Sequence, residues 1–465
     1  MDAYSLTPDE LTDLTIERLG SSAFDSPLIS DGCHFIEEDE KVSFYCHSDH
    51  LKYFKDCPEK APMFEVAGPR RKIFFEPEKV NCGIVTCGGL CPGLNDVIRT
   101  VTLSLNWQYD VKNIFGFRYG YAGMSSNPPA PPIMLTPDAI DDIHLRGGDI
   151  LSLSRGPQDA DDMVDNLVKR NISLMFIVGG DGTLNGASEI SKVIKKRGLK
   201  ISIIGIPKTI DNDISAIEQS FGFSTAVESC RSAILAAHQE AKGAYNGIGL
   251  VKLMGRESGF IAAYASLANS DVNFCFIPEV PFTLDGENGF LDMLEKRLDK
   301  RHHAVIVAAE GAGQSLIRND NARQKDISGN ILPDDIGLFL KDKIKTYFAK
   351  KQKPVAIKYI DPSYMIRSVA ADSNDSAFCL MLGQNAVHAG FSGRTNMVIG
   401  YWNQHFTHVP ISLATLKRKK VDPNGHLWQT VMLTTGQARN LSSPSIPTTD
   451  TSTLSSGKII PTPAS

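Results

Sequence analysis

The 465-residue chain contains no run of the roughly 18 to 20 consecutive apolar residues that a membrane span requires. It lacks the basic-then-apolar start of a secretory signal. Its first 40 residues hold eleven acidic side chains against one basic one, Arg18, the reverse of a transit peptide. These absences predict a soluble, cytoplasmic protein with no membrane partner. A surplus of positive charge is also missing: net charge is -5 and pI near 6.1. No broad surface for nucleic acid is expected, so an anionic ligand must be bound by a local site. The nine cysteines are odd in number and mostly far apart, which excludes a disulfide framework and suits a reducing compartment. Neither a solenoid-period repeat nor a long heptad seam is present. What is there, 42% hydrophobic and 22% charged residues, suffices for two or three packed cores.

The middle of the chain repeats one pattern, a short apolar run followed by an amphipathic segment, as expected where a buried parallel strand leads into a helix. The strand-like runs are Gly83 to Thr86, Leu174 to Val178, Ile201 to Ile206, Ile248 to Leu253, Val272 to Ile277 and Ala304 to Ala309. Helical spacing follows the second run (Leu184, Ala187, Ile190, Ile194, closed by Gly198) and the third (Val227, Cys230, Ile234, Ala237). The fold class is therefore α/β with mostly parallel sheets. Residues 1–78 read as an acidic extension that packs on the body or on a partner subunit, with a short helix predicted over Thr7 to Leu19. Of the last 25 residues, sixteen are Ser, Thr or Pro, so 441–465 is expected to be a disordered tail.

Ligands of open α/β sheets collect beyond the carboxyl ends of the strands, and here those ends are polar and glycine-rich. The first run empties into Thr86-Cys87-Gly88-Gly89-Leu90-Cys91-Pro92-Gly93, which suits either a tight turn or a phosphate approached by backbone amides at a helix N-terminus. It matches neither the Walker spacing nor the dinucleotide fingerprint. Cys87 and Cys91 lack a second pair for zinc, and Cys87 is expected to pack as a small residue. The second run opens into Gly179-Gly180-Asp181-Gly182-Thr183, where Asp181 suits a helix cap or a divalent cation; glycines on both sides favour the cation, through clearance for phosphates. The third ends in Pro207-Lys208-Thr209-Ile210-Asp211-Asn212-Asp213. Two mutually repelling carboxylates, a cation and a hydroxyl are the parts needed to deprotonate an alcohol and stabilise a transferring phosphoryl group; an Asx-rich turn is the plainer alternative. Arg256, Glu279 and Glu310 stand at later strand ends, as a phosphorylated sugar would require.

Taken together, the segments 179–183, 207–213, Met254-Gly255-Arg256 and Tyr364-Met365-Ile366-Arg367 resemble the 6-phosphofructokinase family over roughly residues 79 to 400. The likeness is greatest to the branch with plant and trypanosomatid ATP enzymes and pyrophosphate-dependent enzymes. The resemblance implies two Rossmann-like three-layer lobes with the active site in the cleft between them. The donor lobe would be 79–222 plus part of 366–402, the sugar lobe 223–365, and 403–440 a C-terminal segment. It implies transfer of the ATP γ-phosphoryl to the 1-hydroxyl of fructose 6-phosphate, as in glycolysis, by a homotetramer or dimer. Asp211 then matches the catalytic base, Asp213 its companion, and Thr209 a residue contacting substrate and phosphoryl. Asp181 matches the Mg2+ ligand within Gly180 to Thr183, Gly88 the donor turn, Tyr121 the donor-side tyrosine and Arg155 the arginine on the donor phosphates. Met254, Gly255, Arg256, Glu279, Tyr364 and Arg367 match the sugar-phosphate site. Gly247 and Lys358 stand where the short bacterial enzymes carry arginines, so anion binding is expected to lean on Lys358 and Arg367. Lys208 replaces a bacterial glycine and is expected to act as a catalytic or positioning cation.

Within the family an aspartate in place of Gly182 goes with pyrophosphate, because its carboxylate repels an α-phosphate. Gly182 therefore favours ATP, while Lys208 is shared with pyrophosphate enzymes, which leaves pyrophosphate as the alternative donor. The Gly-Gly-Asp-Gly-Thr motif also occurs in NAD kinases and diacylglycerol kinases, but 207–213 and 254–256 argue against both. A catalytically silent subunit would be expected to lose residues such as Asp181, Thr209, Asp211 or Arg256, all present here.

Overall fold

The computed structural model describes residues 6, 8–11, 13–47, 52–55, 60–317 and 332–437. The Ser/Thr/Pro-rich tail expected over 441–465 lies outside the described residues, as does Thr7. All six expected strands form: Asn81–Thr86, Ile172–Gly179, Ser202–Pro207, Gly247–Leu253, Phe274–Phe276 and His303–Ala309. They divide between two sheets. The larger runs Lys41–Ser43, Met63–Val66, His405–Pro410, Met397–Trp402, Ser202–Pro207, Ile172–Gly179, Asn81–Thr86, Asn113–Phe117, Ile133–Met134, parallel from Met397–Trp402 to Asn113–Phe117 and antiparallel at both margins. The smaller, Phe274–Phe276, His303–Ala309, Gly247–Leu253, Ala356–Ile360, is wholly parallel.

Strand periodicity decides which helix covers which face. Along Ile172–Gly179, Leu174, Phe176 and Val178 point into a core shared with Val97, Val101 and Leu382, from the helices Leu94–Leu103 and Ser373–Phe391. Met175 and Ile177 point the other way, onto Leu184, Ala187 and Ile190 of Asp181–Lys196. A strand covered on both faces has no polar side, hence its uninterrupted apolar run. In the small sheet Val251, Leu253, Val305 and Val307 face Cys230 and Ile234 of the helix Phe223–Lys242 and belong to the same core as Leu174 and Phe176. One continuous core thus joins the lobes and aligns the carboxyl ends of both sheets on a common cleft.

The acidic N-terminal arm packs on the body. Glu17–Arg18 pairs with Arg394–Thr395, and Lys41–Ser43 and Met63–Val66 extend the large sheet. The helix expected over Thr7 to Leu19 does not form: a single 3-10 turn, Pro8–Leu11, gives way to the Glu17–Arg18 strand, because pairing with Arg394–Thr395 overrides weak local helix propensity. Within the C-terminal segment, His405–Pro410 forms an antiparallel pair with Met397–Trp402 inside the large sheet.

The arm is held by buried charge. Arg394, fully buried, donates from Nε to Glu65 Oε2 at 2.8 Å, and from Nη2 to Glu38 at 3.0 Å. Burial works against ionisation of Glu65, but the His408 hydrogen bond and Arg394 outweigh it and hold the carboxyl well below the usual range. Burial keeps His408 neutral, its pKa pushed down to about 4, and does the same to His388. An unfolded histidine takes up its proton near 6.5, so each folded imidazole costs about 1.4 kcal/mol of stability per pH unit as pH falls from 6.5 towards 4. Urea midpoints are expected to drop across that window, and His408→Asn is expected to flatten the slope by about one proton. An unchanged slope in the variant would place the acid sensitivity elsewhere.

Candidate active site

The cleft, of about 910 Å³, is lined from the large sheet by the 87–91, 180–186 and 208–213 segments and from the small sheet by Lys252, Met254, Arg256 and Glu310, with Tyr364 and Arg367 across the opening. Most of the residues expected from the sequence therefore meet.

Asp181 is the first residue of its helix, and Gly180, not Asp181, occupies the capping position. The carboxylate caps no amide: Oδ2 faces Arg418 Nε at 3.1 Å, and Oδ1 is buried without a hydrogen bond among the described residues. Burial, with Asp213 nearby, pushes its pKa up to about 6. A buried oxygen with no donor, beside a guanidinium standing as a positive charge, fits a cation ligand. No group of three or more His, Cys, Asp or Glu side chains placed to hold a metal ion exists among the described residues; Mg2+ is commonly held by one or two carboxylates together with substrate phosphates. The glycine clearance is distributed differently from expectation. A β-carbon at Gly179 would strike the Thr183 side chain and one at Gly180 would press the Lys208 carbonyl, so these two serve packing; at Gly182 it would meet nothing within 4 Å. Of these three glycines, Gly182 is the one with open space beside it. Tyr121 lies beneath this helix, its hydroxyl donating to the Thr183 carbonyl and its ring packed where Gly186 has no side chain.

The 208–220 loop is knit by its own polar groups. Thr209 Oγ1 donates to Asp213 Oδ1 at 3.0 Å and accepts from the Asp211 amide at 3.1 Å; Asn212 bonds the Ser220 amide and the Glu218 carbonyl, and Ser220 Oγ donates to the Thr209 carbonyl. These bonds leave Asp211 Oδ1 buried without a hydrogen bond among the described residues. Burial, then repulsion from Asp213 and Glu310, raises the Asp211 carboxyl above the usual range. This is how a carboxylate becomes a base strong enough for an alcohol near neutral pH.

Lys208 lies under the glycine turn, Nζ donating to the Gly89 carbonyl at 2.9 Å, and burial lowers its pKa. Gly88, with φ +93°, leaves the room it needs, since a β-carbon there would sit 2.9 Å from Nζ. The Gly88 amide itself donates to the Ser154 carbonyl at 3.2 Å, so Gly88 supplies clearance for the lysine and its amide is already engaged. Above Gly89 the guanidinium groups of Arg155 and Arg367 both approach within 4 Å of where a β-carbon would be, and Arg367 also stacks on Tyr364, 4.9 Å from the ring centre. Arg367 thus stands beside both the glycine turn and Tyr364. Lys208→Met is expected to keep the fold, since it exchanges a buried cation for an apolar chain of similar length, and to lower kcat roughly tenfold to a hundredfold. Steady-state rates at saturating donor and sugar phosphate test this; an unaltered kcat would make Lys208 structural.

Three expected residues stand apart from the lining. Glu279 Oε1 accepts from the Gly259 and Val421 amides, both at 2.9 Å, while Oε2 is buried without a hydrogen bond among the described residues. Lys358, exposed, pairs with Glu240 of the helix Phe223–Lys242 at 3.0 Å, so of the expected Lys358–Arg367 anion site only Arg367 lines the cleft in one chain. Gly255, at φ +120°, shapes the turn that carries Met254 and Arg256. Gly247 has no room for a side chain, because a β-carbon would collide with the Ala241 carbonyl. Sequence reading missed Arg418 and the cation Lys252, held by Asp335 and Asp361 at 2.9 and 2.8 Å. Lys252 sits in an apolar run, and Arg418 in the basic stretch 417–420, which resembles a solvated face. Cys87 is a buried thiol pushed up to about 12 by burial, hence an inert packing residue.

Comparison with known proteins agrees with this geometry. The phosphofructokinase family pattern matches residues 81–390. The ATP-dependent 6-phosphofructokinase of Borreliella burgdorferi is 48% identical over 442 residues, covering 92% of this chain and 98% of that protein. ATP-dependent 6-phosphofructokinase 5, chloroplastic, of Arabidopsis thaliana is 46% identical over 382 residues, 82% of this chain and 70% of that one. Among solved structures, the pyrophosphate-dependent phosphofructokinase of Marinobacter aquaeolei superimposes with a TM-score of 0.62 at 20% identity, covering 74% of this chain and 86% of its own, a likeness of fold. By its sheets, its strand-end motifs and these relatives, the chain belongs to the phosphofructokinase family.

Proposed function

We propose that the protein transfers the γ-phosphoryl group of ATP to the 1-hydroxyl of fructose 6-phosphate, giving fructose 1,6-bisphosphate and ADP. The observation that carries this reading is Asp211 Oδ1, a buried carboxylate oxygen without a hydrogen bond among the described residues, set in the cleft between the glycine turn and Arg256. In this scheme Asp211 takes the proton of the sugar hydroxyl as its oxygen attacks the γ-phosphorus, and Thr209, fixed between Asp213 and the Asp211 amide, stands against the transferring group. Lys208 and Arg155 offset charge on the donor phosphates; Arg256, Tyr364 and Arg367 orient the sugar phosphate. Asp181 would hold Mg2+, which supplies charge neutralisation on the nucleotide phosphates. In-line transfer asks the protein for alignment and charge compensation more than covalent chemistry.

ATP is favoured as donor because Gly182 keeps open the space an α-phosphate would need. The relatives quoted above by sequence carry ATP dependence in their names. We further propose a homo-oligomer, dimer or tetramer. The eight described cysteines are all free thiols, which supports a reducing, cytoplasmic setting, and no helix among the described residues is long and apolar enough to cross a membrane. Phosphorus-31 NMR of a reaction with fructose 6-phosphate, ATP and Mg2+ tests the assignment. A new sugar 1-phosphate resonance growing as the γ-phosphate resonance falls is expected; γ-phosphate loss to inorganic phosphate alone would make the protein a hydrolase.

A further inference from the structure

The cleft contains a cation that the transfer scheme above leaves without a role. Arg418 lies beyond the large sheet's His405–Pro410 strand, with Nε 3.1 Å from Asp181 Oδ2, and Nη1 3.7 Å from Asp213 Oδ2 and 3.6 Å from Glu257 Oε1. Its guanidinium therefore stands among carboxylates from three different segments. One of them is the group that would hold Mg2+.

The backbone carrying Arg418 is a fixed strap. Arg418 bridges antiparallel to Ile214, and the Lys419 amide donates to the Asp213 carbonyl at 2.7 Å. Lys419, buried, donates from Nζ to the Ile217 and Glu218 carbonyls at 2.7 and 2.9 Å. On the sugar-lobe side, Ser258 Oγ donates to the Lys419 carbonyl at 2.6 Å, and Glu279 Oε1 accepts the Val421 amide. The strap thus ties the catalytic loop to the loop after Gly247–Leu253. The Arg418 side chain is 30% exposed and lines the cleft.

We propose that Arg418 is a displaceable positioning residue. Its guanidinium offsets part of the negative charge of Asp181, Asp213 and Glu257 and yields Asp181 to the divalent cation that arrives with the nucleotide. This rests on the Mg2+–ATP reading and adds to it a competitor built into the chain. A free divalent cation must displace Arg418 without help, so it binds weakly alone; phosphates entering with the metal offer the released guanidinium a new partner.

The test is Mn2+ binding to the full chain without nucleotide or sugar, followed by electron paramagnetic resonance of free Mn2+ at mildly alkaline pH. Two neutral variants, R418Q and R418M, are expected to bind Mn2+ roughly five to ten times more tightly than the parent, the worth of one partly exposed ion pair. R418K is expected to restore the parent affinity by restoring a competing charge, and D181N added to R418Q is expected to abolish the gain. Unchanged or weaker Mn2+ binding in both neutral variants overturns the proposal, as does a gain that survives D181N. A merely structural strap would lower the melting temperature without tightening Mn2+ binding. Because the readout uses no substrate, a parent enzyme that fails to phosphorylate fructose 6-phosphate would refute the kinase reading separately from this comparison.

Discussion

Substituting Asp211 by Ser is expected to lower kcat by about a thousandfold, within the range for losing a positioned general base, while fructose 6-phosphate binding stays within a few-fold of the parent. The asymmetry follows from what Asp211 touches. The loop is held by Thr209, Asn212 and Ser220, whose hydrogen bonds do not use the Asp211 side chain, so the serine variant keeps the loop. The lost interaction is one made as the hydroxyl proton moves, and a loss of that kind lowers kcat with little change in ground-state binding. Burial and Asp213 raise the Asp211 carboxyl above its ordinary range; below the raised value it is protonated and cannot accept, so parental activity is expected to fall on the acid side and recover as pH rises. Rapid-quench rates and equilibrium binding of fructose 6-phosphate separate the two effects. A serine variant with parental kcat would remove Asp211 from the chemistry.

Gly182→Asp is expected to reduce kcat/KM for ATP by about a hundredfold or more, the effect of several kcal/mol from like charges brought together. The backbone accepts the change: a β-carbon at 182 meets nothing within 4 Å, and an acidic residue in the first turn of Asp181–Lys196 is favoured by the helix dipole. The new carboxylate would instead extend into the donor cleft beside Asp181, where it repels nucleotide phosphates. Steady-state kinetics with ATP and pyrophosphate on parent and variant measure the change. If ATP turnover survives the substitution, position 182 does not face the nucleotide.

The strands were legible because each is buried on both faces, which forces an uninterrupted apolar run; all six expected runs lie within two residues of the observed strands. The 208–220 loop was legible because Thr209, Asp211, Asn212 and Asp213 are close in sequence and bond to one another or to Glu218 and Ser220 a few residues on. What escaped was long-range. Arg418 reaches Asp181 across more than half the chain, and its basic neighbours make it look like solvated surface until Lys417 is seen on Glu10 and Lys419 among carbonyls. Glu279 has the residue type and strand-end position of a ligand group, and one of its two oxygens is taken by the strap's Val421 amide. The glycines of the 179–183 motif were read together as phosphate clearance, whereas two of the three make room for the protein's own Thr183 and Lys208. In the N-terminal arm, pairing with a strand some 375 residues away overrode a local helix signal.

The most direct test compares initial rates of the purified protein with fructose 6-phosphate and Mg2+, using ATP or pyrophosphate as donor and coupling fructose 1,6-bisphosphate formation to NADH oxidation. The open space at Gly182 and the base at Asp211 predict turnover with ATP and none with pyrophosphate. A preference for pyrophosphate would leave the fold and the base in place but show that Lys208, not Gly182, sets the donor; silence with both would contradict the assignment of the cleft as a phosphofructokinase active site.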